Sequence, residues 1–337
     1  MKIDSEKLSI VDVTADNASD WSKVFLKSMT SFRWMNRYIK SLNISELDVK
    51  ISLEQDLVKN KDELFVMAYY DNLPVGIIRA SEYWLAEAHL IPSHYPLILP
   101  RFQRKGIGEI LVKEIIKRTK LKSDKEIWTE TWTKDKRELH IYELFYEKIG
   151  FNLISNRSEM SCLLANYKNN DAIKTPDVKI TIENNLTNEF VIALSDSYSD
   201  SIDELHKIEK IGNKKICSKY IKKLSQTFQK MGYNLQYHIV TFSEKPCAAL
   251  LTATSSSKGI IMEIGVIPEY RKKNIGKMLL SRYLTDLKKE KVPEVVLAVD
   301  LNNNPAINLY LKLGFKHNWF GKMFLLKLNK NKKQKLR

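Results

Sequence analysis

Cysteine is scarce: the 337-residue chain has three, Cys162, Cys217 and Cys247, separated by 55 and 30 residues. That spacing fits neither a disulfide framework nor a zinc knuckle, so buried reduced thiols are expected. Histidine is almost as rare. His89, His94, His140, His206, His238 and His317 form no His-x-x-x-His pair and no cluster with cysteine, so no metal site is expected. Long apolar runs are missing as well. None reaches the ~18 residues that a membrane helix needs, and the start of the chain lacks the apolar core and cleavage site of a secretory signal, which points to the cytoplasm. Neither a Walker-type Gly-x-x-x-x-Gly-Lys-Ser/Thr nor a dinucleotide Gly-x-Gly-x-x-Gly occurs, which removes two common nucleotide-binding folds. Acidic residues are short in one half only: residues 1–172 hold 26 Lys and Arg against 25 Asp and Glu, whereas 173–337 hold 29 against 15. The second half therefore carries nearly all of the net charge of +15 and would attract anions.

What is present is a repeat. Pro100-Arg101-Phe102-Gln103-Arg104-Lys105-Gly106-Ile107-Gly108 returns as Pro268-Glu269-Tyr270-Arg271-Lys272-Lys273-Asn274-Ile275-Gly276, at a constant offset of 168. A short β-rich run precedes each copy, at Ile98-Leu99 and at Ile264 to Ile267. Each copy enters a segment with apolar residues at helical spacing, Ile110, Leu111, Ile115 and Ile116 or Leu279, Leu280, Tyr283, Leu284 and Leu287. A strand, a basic turn and a helix N-terminus result. Free amide N–H groups, the positive end of the helix dipole and flanking Lys and Arg make such a turn an anion site, and small residues let a phosphate come close. A second pattern follows each turn: Tyr146, Gly150 and Phe151, then Tyr310, Gly314 and Phe315, the latter extended by Asn303 and Ala306.

The turn resembles the acyl-CoA signature of the GNAT superfamily of N-acetyltransferases, Arg/Gln-x-x-Gly-x-Gly/Ala. Gln103, Gly106 and Gly108 match it in full; Arg271 and Gly276 match, with Asn274 where Gly is usual. Asn is the non-Gly residue most tolerant of left-handed backbone, so the pattern survives. The Tyr-x-x-x-Gly-Phe elements resemble the family's other hallmark. The resemblance covers nearly the whole chain and implies an α/β fold of two tandem GNAT-like domains, each a mixed, mostly antiparallel central sheet flanked by helices. The expected division is 1–168 for the first domain, 169–177 for a polar, breaker-rich linker, 178–330 for the second domain and 331–337 for a basic tail.

Along the chain, strand character is expected at Leu8 to Val13, then a helix from Ala18 through Trp21, Val24 and Phe25, further helix at Trp34 to Leu42 and a short one from Ser52. Hairpins are expected at 64–80 and 237–253. Trp84 to Ser93 reads as an inserted loop that either faces a substrate, with Trp84, Glu87, His89 and His94, or packs on the core. Ile127 to Trp132, Val178 to Ile182 and Val295 to Val299 read as strands, Phe151 to Leu164 as a strand pair or arm, Glu138 to Ile149 as a helix, and Ile202 to Met231 as one long helical region.

The resemblance implies an acyltransferase that moves an acetyl group from acetyl-CoA to a primary amine by direct attack. Three tasks remain: deprotonating the ammonium, stabilising the thioester oxygen and protonating the leaving thiolate. By that resemblance Glu263 is the base, Tyr310 the leaving-group acid, and Tyr146 its counterpart in the first half. The cofactor would meet Ile98, Leu99, Gln103, Arg104, Lys105, Gly106, Ile107 and Gly108 in one half. In the other it would meet Val266, Ile267, Arg271, Lys272, Lys273, Asn274, Ile275, Gly276, Lys277 and Asn303. Glu263 reads equally as a solvated strand-edge carboxylate, and Tyr310 as core packing. The offset puts Tyr95 rather than an acid at the position of Glu263, which favours the second half as catalytic. The acceptor reads as a small metabolite or antibiotic, with a protein or peptide amine as the alternative. A nucleic-acid- or ribosome-binding protein on the same scaffold is the remaining one, although no basic helix interleaved with exposed aromatics supports it.

Overall fold

The computed structural model describes residues 3–31, 43–59, 63–83, 89–92, 96–122, 126–168 and 178–328. In chain order the elements are β1 (Leu8–Asp12), α1 (Ala18–Met29), α2 (Glu46–Lys59), β2 (Leu64–Tyr70), β3 (Leu73–Tyr83), β4 (His89–Pro92), β5 (Leu97–Ile98), α3 (Ile107–Lys122), β6 (Glu126–Thr133), α4 (Lys136–Ile149) and β7 (Asn152–Leu163). They continue with β8 (Val178–Glu183), α5 (Asn188–Ser197), α6 (Glu204–Glu209), α7 (Lys214–Lys230), β9 (Asn234–Phe242), β10 (Lys245–Thr254), β11 (Gly259–Val266), α8 (Ile275–Lys289), β12 (Glu294–Asp300), α9 (Asn304–Lys312) and β13 (Lys316–Lys327). The chain forms two compact units. The first takes the described residues up to 83, 89–153 and 322–328, and the second takes Ile154–Gly321.

The first unit orders its strands β1-β2-β3-β4-β6, followed by the second half of β13. Strand alternation divides β2 between two cores. Phe65 and Met67 face α1 and α2 with Trp21, Val24, Leu53, Ile77 and Leu97. Val66 and Ala68 face α3 and α4 with Ile107, Leu111, Ile115, Tyr146 and Phe324. Trp21 meets Phe65 edge-on, with ring centroids 5.7 Å apart. α1 starts where Asn17 Oδ1 accepts from the Thr14 N–H at 2.9 Å, inside the Thr14-to-Asn17 signal. Burying a side chain such as Leu111 contributes about 1.5–3 kcal/mol, and truncating it to Ala costs about 2–5 kcal/mol.

The second unit orders the first half of β13, then β7-β12-β11-β10-β9-β8. β7 with β12, β11 with β10, β10 with β9 and β9 with β8 pair antiparallel, whereas β11 with β12 is parallel and confined to Gly259–Ile261 against Val295–Leu297. Just beyond, the register of β11 on β10 slips, with Leu251 opposite Glu263 and Thr252 opposite Ile261, so Met262 is the extra residue of a bulge. From there to Val266, β11 has β10 on one side and no ladder to β12 on the other. α8 packs its Ile275, Leu279, Leu280, Tyr283, Leu284 and Leu287 face on one side of this sheet.

Several expectations need correction. The region Ile202 to Met231 is two helices. Asp203 caps α6 by accepting from the Leu205 N–H at 2.9 Å, Lys210 turns left-handed at φ 55°, and Asn213 caps α7 through the Lys215 and Ile216 N–H groups. α5, capped by Thr187, was not expected. The helix read as starting at Ser52 begins at Glu46. The supposed loop after β3 contains β4, which pairs with the end of β3. The segment Trp34 to Leu42, the linker 169–177 and the tail 331–337 lie outside the described residues.

Candidate functional site

The two repeated turns have the same backbone. Gly106 sits at φ 94° and Asn274 at φ 62°, and two residues earlier Arg104 and Lys272 sit at φ 59° and 61°. Left-handed geometry at the fourth motif position explains why only Gly or Asn stands there. The first motif residue ties the turn to its strand: Gln103 Nε2 donates to Ile98 O and Arg271 Nε to Val266 O, each at 3.0 Å. Arg271 also donates to Asp200 through both terminal nitrogens at 2.7 Å and to Ser197 O at 3.0 Å. Lys105 and Lys273 lie over the rings of Phe102 and Tyr270, at 5.1 and 5.2 Å. α3 and α8 begin at Ile107 and Ile275, so each turn presents helix-start amides beside Gly108 or Gly276-Lys277. In both units this is the kind of backbone arrangement that suits an anion. The glycines that close it also serve packing, because a Cβ at Gly108 would lie 3.2 Å from Pro96 Cγ and one at Gly276 3.4 Å from Leu309 Cδ2.

Of the strand amides just before the two turns, two are already used. Leu99 N–H donates to Val75 O and Ile267 N–H to Cys247 O, each at 2.9 Å. Ladder alternation then turns the amides of Ile98 and Val266 away from β3 and β10, toward the other edge of their own strands.

The units differ most around the carboxylate. Glu263 lies on β11 immediately after the bulge, with its side chain only 6% exposed. The Tyr198 hydroxyl donates to Oε2 and the Tyr220 hydroxyl to Oε1, both at 2.5 Å, and His206 Nε2 lies 3.6 Å from Oε2. The Tyr198 and His206 rings stack at 4.2 Å. Tyr198 follows α5, Tyr220 belongs to α7 and His206 to α6, so three segments converge on one carboxylate. Gly265 makes the approach possible, because a Cβ there would overlap Ser197 Oγ and lie 2.6 Å from Ser197 Cβ. Burial, then the Glu263 charge, raises the Tyr198 phenol well above its ordinary value. A glutamate clamped by two phenols is not the solvated strand-edge carboxylate that the sequence allowed.

Tyr310 is also buried, on α9, with its ring beside Phe315. Burial first, then the charges of Glu263 and Asp203, push its phenol above the usual range and keep it protonated. Asp203 is paired with Arg157 at 3.2 Å, and both side chains are largely enclosed. Asn303 caps α9, its Oδ1 accepting from the Ala306 N–H at 3.2 Å. In the first unit Tyr146 sits among Phe145, Phe151 and Phe324, and the Thr129 hydroxyl donates to it at 3.3 Å. Tyr95, Trp84, Glu87 and His94 lie outside the described residues; His89 begins β4.

Sequence reasoning singled out Glu263 and Tyr310 and did not name Tyr198, Tyr220, His206, Asp203 and Arg157 beside them, which come from segments distant in sequence. The one local signal was Gly265: a glycine inside a strand pattern marks a close approach. The three cysteines are free and buried. Among the described residues, no group of three or more His, Cys, Asp or Glu is placed to hold a metal, and no helix is long and apolar enough to cross a membrane.

Comparison with known proteins agrees with this geometry. The model of the acetyltransferase (GNAT) family matches residues 28–151 and again 212–315. An N-alpha-acetyltransferase of Sulfurisphaera tokodaii is 44% identical over 64 residues, 19% of this chain and 38% of that one. One of Saccharolobus solfataricus is 42% identical over 60 residues, 18% of this chain and 36% of that one, so each match spans little more than a third of the relative. Among solved structures, a tandem GNAT protein from the clavulanic acid biosynthesis pathway superposes with a TM-score of 0.61 at 13% identity, covering 96% of this chain and all of that one. A GCN5-related N-acetyltransferase from Sphaerobacter thermophilus gives 0.59 at 13% identity, covering 96% of each chain. At such identities the superpositions speak for the fold alone. With the family model matched twice, over more than half of the chain, the chain belongs to the GNAT acetyltransferase family and carries that domain in tandem.

Proposed function

We propose that the second unit is an acetyl-CoA-dependent N-acetyltransferase acting on a primary amine. The observation that carries the reading is Glu263, a carboxylate held by two tyrosines on the strand that leads into the anion cradle. Acetyl-CoA supplies an activated thioester when bound, and the cradle suits its pyrophosphate: Lys272, Lys273 and Lys277 give charge, Asn274 gives the left-handed turn, and Ile275 and Gly276 give amides. The Val266 N–H is the strand donor placed for the thioester oxygen. Glu263 takes the ammonium proton, and Tyr310, kept protonated by its surroundings, donates to the departing sulfur. The first unit shares the cradle, formed by Arg104, Lys105, Gly106, Ile107 and Gly108, and serves at most to hold CoA.

The acceptor in this reading is a small metabolite or antibiotic amine. A second reading, the α-amine of a peptide, is favoured by the local similarity to proteins named N-alpha-acetyltransferase. Three free buried thiols fit a reducing compartment, the cytoplasm.

The test is thermal unfolding with acetyl-CoA for the wild type, Lys105→Glu and Lys273→Glu, followed by CoA-thiol release on small amines and on short peptides. A hundredfold excess over Kd adds about 2.7 kcal/mol to the occupied unit. Loss of the shift in Lys273→Glu with thiol release on an amine supports the reading; no shift in the wild type overturns it.

A further inference from the structure

We infer that His206 is the proton outlet of this site: it takes over the proton that Glu263 receives and passes it to solvent. The inference rests on Glu263 acting as base. A base buried this deeply must lose its proton before the next turnover, and water has little access to a side chain 6% exposed. Both carboxylate oxygens already accept tyrosine hydroxyls. Those phenols can pass a proton along but do not keep the charge; Tyr198 is held protonated by its burial and by Glu263 itself. His206 is a basic side chain that also lies against the carboxylate, and imidazole is the side chain that gains and loses a proton near neutrality. It is also the more open of the two partners, with its side chain 13% exposed.

Its orientation is held from three directions. Nε2 faces Glu263 Oε2 at 3.6 Å, Nδ1 meets the Ser201 hydroxyl at 3.2 Å, and the ring face lies on Tyr198 at 4.2 Å. With Nδ1–H donating to Ser201, Nε2 is left as an acceptor pointing at the carboxyl group. The 3.6 Å gap closes to hydrogen-bond length with a small side-chain movement, as catalytic contacts do on substrate binding. The charged group that the ring faces is Glu263 on β11; Asp203 caps His206's own helix and is held by Arg157 from β7.

The steps balance. The ammonium N–H bond breaks and an O–H bond forms on Glu263. That O–H bond breaks as an N–H bond forms at Nε2, giving an imidazolium. The imidazolium then loses one proton to water, so no charge accumulates over a cycle. In this role His206 does not touch the substrate; it acts through Glu263.

The experiment compares wild type, Glu263→Gln, His206→Phe and His206→Gln in CoA-thiol release, in dilute buffer and with added imidazole. His206→Phe keeps an aromatic ring on Tyr198, His206→Gln keeps a polar end, and unfolding midpoints show which variants are folded. The inference expects kcat to fall at least tenfold in a folded His206 variant, the KM for acetyl-CoA to stay within about twofold, and imidazole to restore much of kcat in a concentration-dependent way. It is overturned if kcat stays within twofold of wild type, or if it falls and imidazole restores nothing. If Glu263→Gln is itself fully active, the base assignment fails. If Glu263→Gln is dead while His206 variants run at the wild-type rate, only the proton outlet fails.

Discussion

Gly265→Ala puts the architecture of the site to a sharp test. A methyl group at this position would overlap Ser197 Oγ and sit 2.6 Å from Ser197 Cβ. A hydroxyl can rotate away, but Ser197 Cβ is fixed to the last turn of α5, where its Oγ donates to Leu194 O at 2.6 Å. The end of the helix must therefore move, and Tyr198 moves with it. Overpacking of this kind costs about 1–3 kcal/mol, which lowers the Tm of a unit of this size by about 2–12 °C. The hydroxyl of Tyr198 is 2.5 Å from Glu263, so a shift of about 1 Å breaks that contact, and kcat should fall on the order of 10–100-fold. Urea unfolding and thiol-release kinetics read the two effects separately. The cause is isolated by a cycle with Ser197→Gly, which deletes both clashing atoms: the double variant should be more stable than the summed singles by at least about 1 kcal/mol. Wild-type stability in Gly265→Ala, or additivity within about 0.5 kcal/mol, would show that the helix end does not press on β11 as described.

Other outcomes follow from single contacts. Tyr310→Phe should lower kcat on the order of 100-fold, while Tyr146→Phe, which removes the hydroxyl that Thr129 meets in the first unit, should leave thiol release unchanged. Gly106→Ala should lose about 1 kcal/mol, because a Cβ meets nothing there and only φ 94° opposes it, whereas Asn274→Gly should stay within about 0.5 kcal/mol; urea midpoints decide both. Burial, helped by Arg282, holds the His238 imidazole down to about 4 from 6.5. A folded value below the unfolded one gives stability that is complete above about pH 6.5 and is lost as pH falls toward 4, so wild type minus His238→Gln should shrink by about 2–3 kcal/mol over that window in urea titrations. The thiols of Cys217 and Cys247, pushed up by burial to about 12 and 11, should ignore Ellman's reagent until the protein unfolds.

The fold was legible where local chemistry repeats. Two turns with residues of matching left-handed tolerance, two hairpins and two helices with apolar faces could be read from spacing alone, because each is decided within about twenty residues. Glu263 and Tyr310 were legible through the resemblance of their motifs. The shell around Glu263 was not, since Tyr198, Tyr220 and His206 reach it from 65, 43 and 57 residues away in sequence. Reading 202–231 as one helix hid the break at Lys210 to Asn213, which separates His206 on α6 from Tyr220 on α7. The strand β13 and its division between the units at Gly321 were not read from the sequence.

The measurement that bears most directly on the chemistry is the kcat/KM of CoA-thiol release for Glu263→Gln with an amine that wild type acetylates, alongside acetyl-CoA affinity by calorimetry. Glu263 as the base predicts a loss of about 100-fold or more with cofactor affinity unchanged. Full activity in the variant, or activity lost only in step with acetyl-CoA binding, would contradict it.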